Sequence, residues 1–239
     1  MKTKLVRTQD LSEKDLSAMY LLLSTHFTGV RSDVFYADLD SKNWVILLSD
    51  DTGKLNGFST LLMYNTQFAG EKLSVVYSGD TIVDPSAWSS STLSRSWIAS
   101  VKKLQAEYAE GKLYWLLISS GYRTYRFLPI FWQEFYPRYD VTTPKSISTL
   151  MQFLASDRFG KYYNPQTGVV RFPHPHMLRN GLKGIPEERL QDPHIQFFAL
   201  QNPGHIQGDE LVCLSEICEE NLTPAGRRMW FAKELSVKN

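Results

Sequence analysis

Four groups of residues in this 239-residue chain have types and spacings suited to chemistry. The first is "SGDTIVDPSAWSSSTLSRSW", Ser78 to Trp97. It reads as a strand, a proline turn, a run of small hydroxyl residues and a helix. A strand that feeds a helix N-terminus through small residues presents backbone N–H groups and the positive helix end to an anion. Trp88, Ser89, Ser90, Ser91 and Thr92 occupy that junction. The same residues equally suit ordinary N-capping, and no glycine stands between Gly79 and Gly111. The second group is "GYRTYR", where Tyr122 and Tyr125 fall at i and i+3 and share a helix face. The third is His26, whose neutral imidazole suits the removal of a proton near pH 7; at a helix end it equally complements the dipole. The fourth, His174-Pro175-His176, lacks an acid or cysteine at ligand spacing and reads as loop rather than metal site.

The elements that must position these groups follow from periodicity. Residues 10–25 read as a helix, with Asp10 or Ser12 as cap and Leu16, Met19, Tyr20 and Leu23 on one face. "NWVILLSDDTGKLNGFSTLLMYN" reads as a β-hairpin around an Asp/Asn/Gly turn, and "KLSVVYSGDTIVD" as a further long strand. Leu93, Trp97, Val101, Leu104 and Tyr108 keep helical steps, "LYWLLI" is a short apolar strand, and residues 121–137 form a second helix kinked or started by Pro129. Beyond these come a helix over 144–158 and a Pro/Gly-rich surface excursion over "NPQTGVVRFPHPHMLRNGLKGIPEERL". A short helix in "DPHIQFFALQNPG", a strand in "GDELVCLSEI" and a last helix in "NLTPAGRRMWFAKEL" complete the reading. The fold class is α/β (α+β): a mixed, mostly antiparallel sheet with helices on both faces.

Composition narrows the function. A net charge of +1 and the lack of a dense Lys/Arg run argue against nucleic acid as a partner. Apolar runs of about five residues fall far short of the roughly 20 that span a bilayer. The N-terminus lacks the apolar core of a signal peptide. Cys213 and Cys218 are spaced for opposite strand faces, which disfavours a disulfide. These features predict a cytoplasmic protein.

The order of elements, with "GDTIVDPSAWSSSTL" at the strand-to-helix junction, resembles the GNAT superfamily of N-acyltransferases over roughly residues 4–137. Val83-Asp84-Pro85 fits the strand end of that family, and Trp88, Ser89 and Ser91 stand where it usually carries Arg/Gln, Gly and Gly. The resemblance implies a core over 1–140 that binds an acyl donor, with residues 141–239 as an extension packed on it. It implies that Thr81, Ile82 and Val83 pair with a pantetheine arm, while Trp88, Ser89, Ser90, Ser91 and Thr92 hold phosphate. The donor is then acyl-CoA or the phosphopantetheine of an acyl carrier protein, with no metal. The acceptor is an amine: an amino acid, a small amine, or a Lys/Orn side chain of a peptide, as in lipopeptide biosynthesis. Tyr125 is placed as the acid for the leaving thiolate, and the general base lies among His26, Asp80 and a water. Trp115, Ser119, Tyr122, Phe127 and Phe131 would line the substrate cavity. The aromatic excess predicts a medium or long acyl chain, since each buried methylene contributes about 0.8 kcal/mol. Two alternatives stand beside this reading: a non-catalytic binding or scaffold protein on the same fold, and an acetyl-CoA-dependent acetyltransferase of a small metabolite.

Overall fold

The computed structural model describes residues 1–87, 90–179 and 184–232. An eight-stranded sheet organises the chain. Its strands are β1 (Lys2–Arg7), β3 (Trp44–Ser49), β4 (Leu55–Phe68), β5 (Glu71–Val83), β6 (Lys112–Ser119), β7 (Tyr163–Asn164), β8 (Val169–Val170) and β10 (Glu210–Glu216). They lie side by side in the order β1-β3-β4-β5-β6-β10-β8-β7. All neighbours are antiparallel except β5 and β6, which the helix α3 (Thr92–Tyr108) joins in a parallel crossover. A separate two-stranded ribbon pairs β2 (Phe27–Thr28) with β9 (Met177–Leu178).

Alternation along the strands decides which helices cover which face. Val45 and Leu47 pack with α1 (Glu13–His26) and α2 (Ser32–Asp40), while Ile46 and Leu48 pack toward α3. Val75 and Tyr77 pack with α6 (Lys145–Phe159), while Val76 joins the α3 side. The α3 side also carries α4 (Tyr122–Tyr125), α5 (Phe127–Phe131), α7 (Pro193–Gln201) and α8 (Pro224–Trp230). Helices therefore cover both faces, as predicted. Among the described residues, no helix is long and apolar enough to cross a membrane.

Several elements follow directly from local chemistry. Ser12 caps α1 with a full capping box, its hydroxyl accepting from the Asp15 N–H. The first helix, the hairpin, β5, β6 and α6 lie within a few residues of their predicted bounds. Other stretches differ. β1 is an edge strand rich in Lys and Arg, a composition that protects an edge but hides the alternation. The predicted helix over 121–137 is two short helices, because tertiary partners capture the chain after Phe131. The Thr223 hydroxyl donates to the Ile130 carbonyl at 2.6 Å, and Tyr136 exchanges backbone bonds with Leu214. Tyr108, predicted on the core face of α3, is 40% exposed and accepts from Arg7. Residues predicted as a surface excursion instead supply β7, β8 and β9, and β10 inserts between β6 and β8.

Candidate functional site

The sheet opens between its two parallel strands. β5 and β6 pair from Leu73–Lys112 to Ser78–Leu117, and the pairing stops there although β5 continues to Val83. On its other side β5 stays paired with β4 as far as Val83–Gly57. The register shifts on the way, so that Gly79 and Asp80 together stand opposite Thr60. Such a bulge bends its strand and re-aims side chains. Gly79 makes the bend possible, since a Cβ there would lie 2.6 Å from both Lys42 Cε and Thr60 Oγ1. The β6-facing edge of Gly79–Val83 borders a cavity of about 590 Å³.

On the α3 side the cavity is aromatic. Trp97 of α3 and Trp115 of β6 both donate their indole N–H to the Ser78 hydroxyl, at 3.1 and 2.9 Å. Trp132 completes a cluster with ring centroids 5.0 Å from Trp115 and 5.8 Å from Trp97, and among the described residues its own N–H has no hydrogen-bond partner. Phe127 and Phe131 of α5 extend this wall. Tyr122 lies there too, with the Arg123 guanidinium 4.8 Å from its ring centre. Ser119, at the end of β6, lines the cavity while its hydroxyl donates to the Gly121 carbonyl at 2.8 Å.

The start of α3 forms one rim. Ser90, Leu93 and Ser94 line the cavity there. Ser91 opens the helix without a side-chain cap bond. The cap comes instead from Ser90, whose hydroxyl accepts from the Thr92 N–H at 3.2 Å and meets the Thr92 hydroxyl at 2.6 Å. Trp88 and Ser89, the other predicted phosphate-binding residues, lie outside the described residues.

On the α6 side the cavity is charged. Asp80 lies 3.4 Å from His176. Burial alone would lower the His176 pKa, but the hydrogen bond and charge of Asp80, with Glu210 and Asp38 behind them, raise it above the ordinary value. Glu210, the first residue of β10, has its pKa raised to about 8 by burial and then by the charge of Asp80, with His176 opposing and Asp38 adding. Glu210 is half-buried and lines the cavity. Among the described residues its carboxyl has no hydrogen bond. Asp38 also lines the cavity and binds the Lys42 ammonium at 2.6 Å. Lys42 is fully enclosed, and burial lowers its pKa against the pull of Asp38. His26 is farther along the wall, 3.5 Å from Asp84. The Asp84 pKa is lowered, first by the hydrogen bond from Ser86 and only last by His26.

A strap closes this side. Residues 172–178 run along the cavity and end in β9, and the Arg179 N–H donates to the His26 carbonyl at 2.9 Å. Pro175 nests against Gly208, whose φ of +89° suits glycine and where a Cβ would lie 2.6 Å from the proline Cβ. His176 lines the cavity half-buried, whereas His174 borders it and stays exposed. Among the described residues no cluster of His, Cys, Asp and Glu is arranged to hold a metal.

The cavity thus gathers His26, Asp80, Thr81, Ile82, Val83, Ser90, Trp115, Ser119, Tyr122, Phe127 and Phe131. Ser91 and Thr92 stand at the start of α3 but not on the cavity wall. Tyr125 is a correction. It is fully buried away from the cavity, its ring between Phe135 and Phe198 and its hydroxyl donating to the Pro137 carbonyl at 3.0 Å. Burial raises its pKa far above the ordinary phenol value. The Thr81 hydroxyl is held by Ser59 at 2.7 Å, so this residue offers the cavity its backbone. Sequence reasoning missed Glu210 and Asp38, and it singled out His176 only to read it as loop. A carboxylate at the head of the apolar run Leu211–Leu214 was the available signal for Glu210.

No family model matches the chain, and no curated protein matches it. Solved structures do. The tetramutant of the BH1408 protein from Bacillus halodurans is 15% identical, covering 60% of this chain and 99% of that one at a TM-score of 0.42. A GNAT family N-acetyltransferase from Escherichia coli, in complex with CoA, is 15% identical over 53% of this chain and 68% of its own, at 0.39. A GNAT family acetyltransferase from Brucella melitensis, in complex with acetyl-CoA, is 12% identical over 53% and 81%, at 0.39. The element order and the mixed, mostly antiparallel sheet agree with what the sequence resemblance implies for the fold.

Proposed function

We propose that this protein is an N-acyltransferase that moves an acyl group from a phosphopantetheine thioester, of CoA or of an acyl carrier protein, to an amine. The observation that carries the reading is the bared edge of β5. Among the described residues Gly79–Ile82 has no strand partner on the β6 side, and it runs along a cavity from an aromatic floor toward the start of α3. An extended donor arm with amide groups fits such an edge as an added strand. The N-terminus of α3, opened without a side-chain cap from Ser91, suits the donor phosphate.

In the reaction the amine nitrogen attacks the thioester carbonyl, the C–N bond forms and the C–S bond breaks. The ammonium must first lose a proton. Glu210 is matched to that step, because a carboxyl near pH 8 is a stronger base than an ordinary glutamate and lies on the cavity wall. Asp80 and His26 are the other bases on that wall. With Tyr125 buried elsewhere, Tyr122 is the phenol of α4 that reaches the cavity to protonate the leaving thiolate. The Trp97–Trp115–Trp132 cluster with Phe127 and Phe131 supports a medium or long acyl chain.

Incubation with acyl-CoAs of graded length and a panel of amines, read by thiol release and mass spectrometry, tests this. Acylated amine with a rising preference from acetyl to medium and long chains is expected. A preference for acetyl-CoA overturns the chain-length assignment. No turnover and no thermal shift with any acyl-CoA or acyl carrier protein overturns the enzyme reading and leaves a binding protein.

A further inference from the structure

The two ends of the cavity differ in charge, and the difference bears on the acceptor. Asp38 from α2, Asp80 from β5 and Glu210 from β10 line the α6 side. Among the described residues, the only Lys or Arg on the whole wall is Arg123, which stands on α4 at the opposite, aromatic side and covers Tyr122. Lys42 is close by, but it lies behind the wall and is committed to Asp38 at 2.6 Å and to the Ser41 hydroxyl at 3.2 Å. His176 is already engaged by Asp80. Glu210 is half-buried, lines the cavity and has no hydrogen-bond partner among the described residues, which leaves a place for a donor group.

We propose that the Asp80–Glu210 wall selects a primary alkylammonium whose amine-bearing carbon carries no carboxylate, as in an alkyl mono- or diamine or a lysine side chain, and rejects free α-amino acids at their α-amine. This rests on the acyl-transfer reading for what becomes of the amine, but not for its binding. An ammonium placed between Asp80 and Glu210 pairs with the Asp80 carboxylate and favours the ionised form of Glu210, whose oxygens then accept its N–H groups. A carboxylate on the amine-bearing carbon enters the same space, meets Asp38, Asp80 and Glu210, and, among the described residues, finds no Lys or Arg on that side of the wall to pair with. Like-charge contacts of this kind are strongly unfavourable.

Pentylamine and norleucine form the matched test pair, since norleucine is pentylamine with a carboxylate on the amine-bearing carbon. Norleucinamide restores the bulk without the charge. With the preferred acyl-CoA, kcat/KM for pentylamine is expected to exceed that for norleucine by about thirtyfold or more, with norleucinamide recovering most of the loss. Asp80→Asn should shrink the pentylamine-to-norleucine ratio. The same ligands are compared by thermal shift without a donor, where pentylamine should stabilise the protein more than norleucine. Cadaverine and a peptide with an internal lysine, in further arms, separate a free diamine from a side-chain amine. Equal or better use of norleucine, or an equal thermal shift from it, overturns the inference while acyl transfer stands. Absent thiol release with the thermal order intact overturns acyl transfer and supports the selectivity of the wall.

Discussion

Trp115 of β6 donates its indole N–H to the Ser78 hydroxyl of β5 at 2.9 Å, across the last parallel pairs before the strands part. Trp97 of α3 donates to the same oxygen at 3.1 Å. One hydroxyl therefore ties β5, β6 and the crossover helix together at the apex of the wedge. The apex stays closed while the strand beyond it swings open, which gives the cavity a fixed floor.

Ser78→Ala should weaken the fold out of proportion to its size. The substitution removes one oxygen and leaves two buried indole N–H groups without an acceptor. Each such group costs about 1–3 kcal/mol, so a loss of about 2–4 kcal/mol in unfolding free energy is expected from urea denaturation. A loss below about 0.5 kcal/mol would show that these hydrogen bonds do not anchor the apex.

The sequence made much of this legible. The helical steps of Leu93, Trp97, Val101 and Leu104 and the apolar run of β6 placed the crossover, and the strand–turn–helix order of 78–97 marked the wedge. The charged wall was not legible, because its members come from α2, β5, the 172–178 strap and β10. Their meeting depends on a strand inserted between β6 and β8 and on a bulge that no local pattern announces. The strap was hidden by its composition, since Pro and Gly that mark a surface loop here fit Pro175 against Gly208. Tyr122 and Tyr125 share a helix face in principle, but one turn of helix was too short to fix which of them reaches the cavity.

Tyr122 and Tyr125 should separate cleanly on mutation. Tyr125→Phe removes one buried hydrogen bond to Pro137 and should cost about 1 kcal/mol of stability while leaving kcat unchanged. Tyr122→Phe should leave stability nearly intact and lower kcat by about 10- to 100-fold, as expected for loss of a general acid. Steady-state kinetics beside thermal denaturation of both variants checks this, and a kcat loss confined to Tyr125→Phe would reverse the assignment.

The Asp38–Lys42 pair gives an asymmetric prediction. Lys42 is enclosed and its neighbours include the Tyr77 ring, 5.3 Å from the ammonium, whereas Asp38 keeps 41% of its side-chain exposure. Asp38→Ala strands a buried ammonium and should cost about 3 kcal/mol, near the low end for a broken buried pair because Asp38 is partly solvated. Lys42→Met replaces the ammonium with an apolar group of similar length and should cost much less. The double variant should be no worse than Lys42→Met alone, a coupling that equilibrium unfolding of the four proteins measures.

Glu210 should leave its signature in two pH profiles. Its pKa rises from the ordinary 4.5 to about 8, first through burial and then through Asp80, with His176 on the strap opposing and Asp38 on α2 adding. Between these values the folded protein holds a proton that the unfolded chain has released. The contribution of this group to stability is therefore full below about pH 4.5 and is lost as pH rises to about 8. His176 adds to the same trend, because its pKa is also raised and its stabilising charge disappears as pH climbs above the ordinary histidine range. Turnover should run the other way, since the carboxylate is the active form: kcat/KM should rise with pH up to about 8. Glu210→Gln should flatten both the stability slope and the rising limb and lower turnover by about a hundredfold. A rising limb that survives in Glu210→Gln at near-normal turnover would transfer the proton-accepting role to Asp80 or His26. The wild-type stability slope would still report the buried carboxyl, so burial and catalysis are read independently.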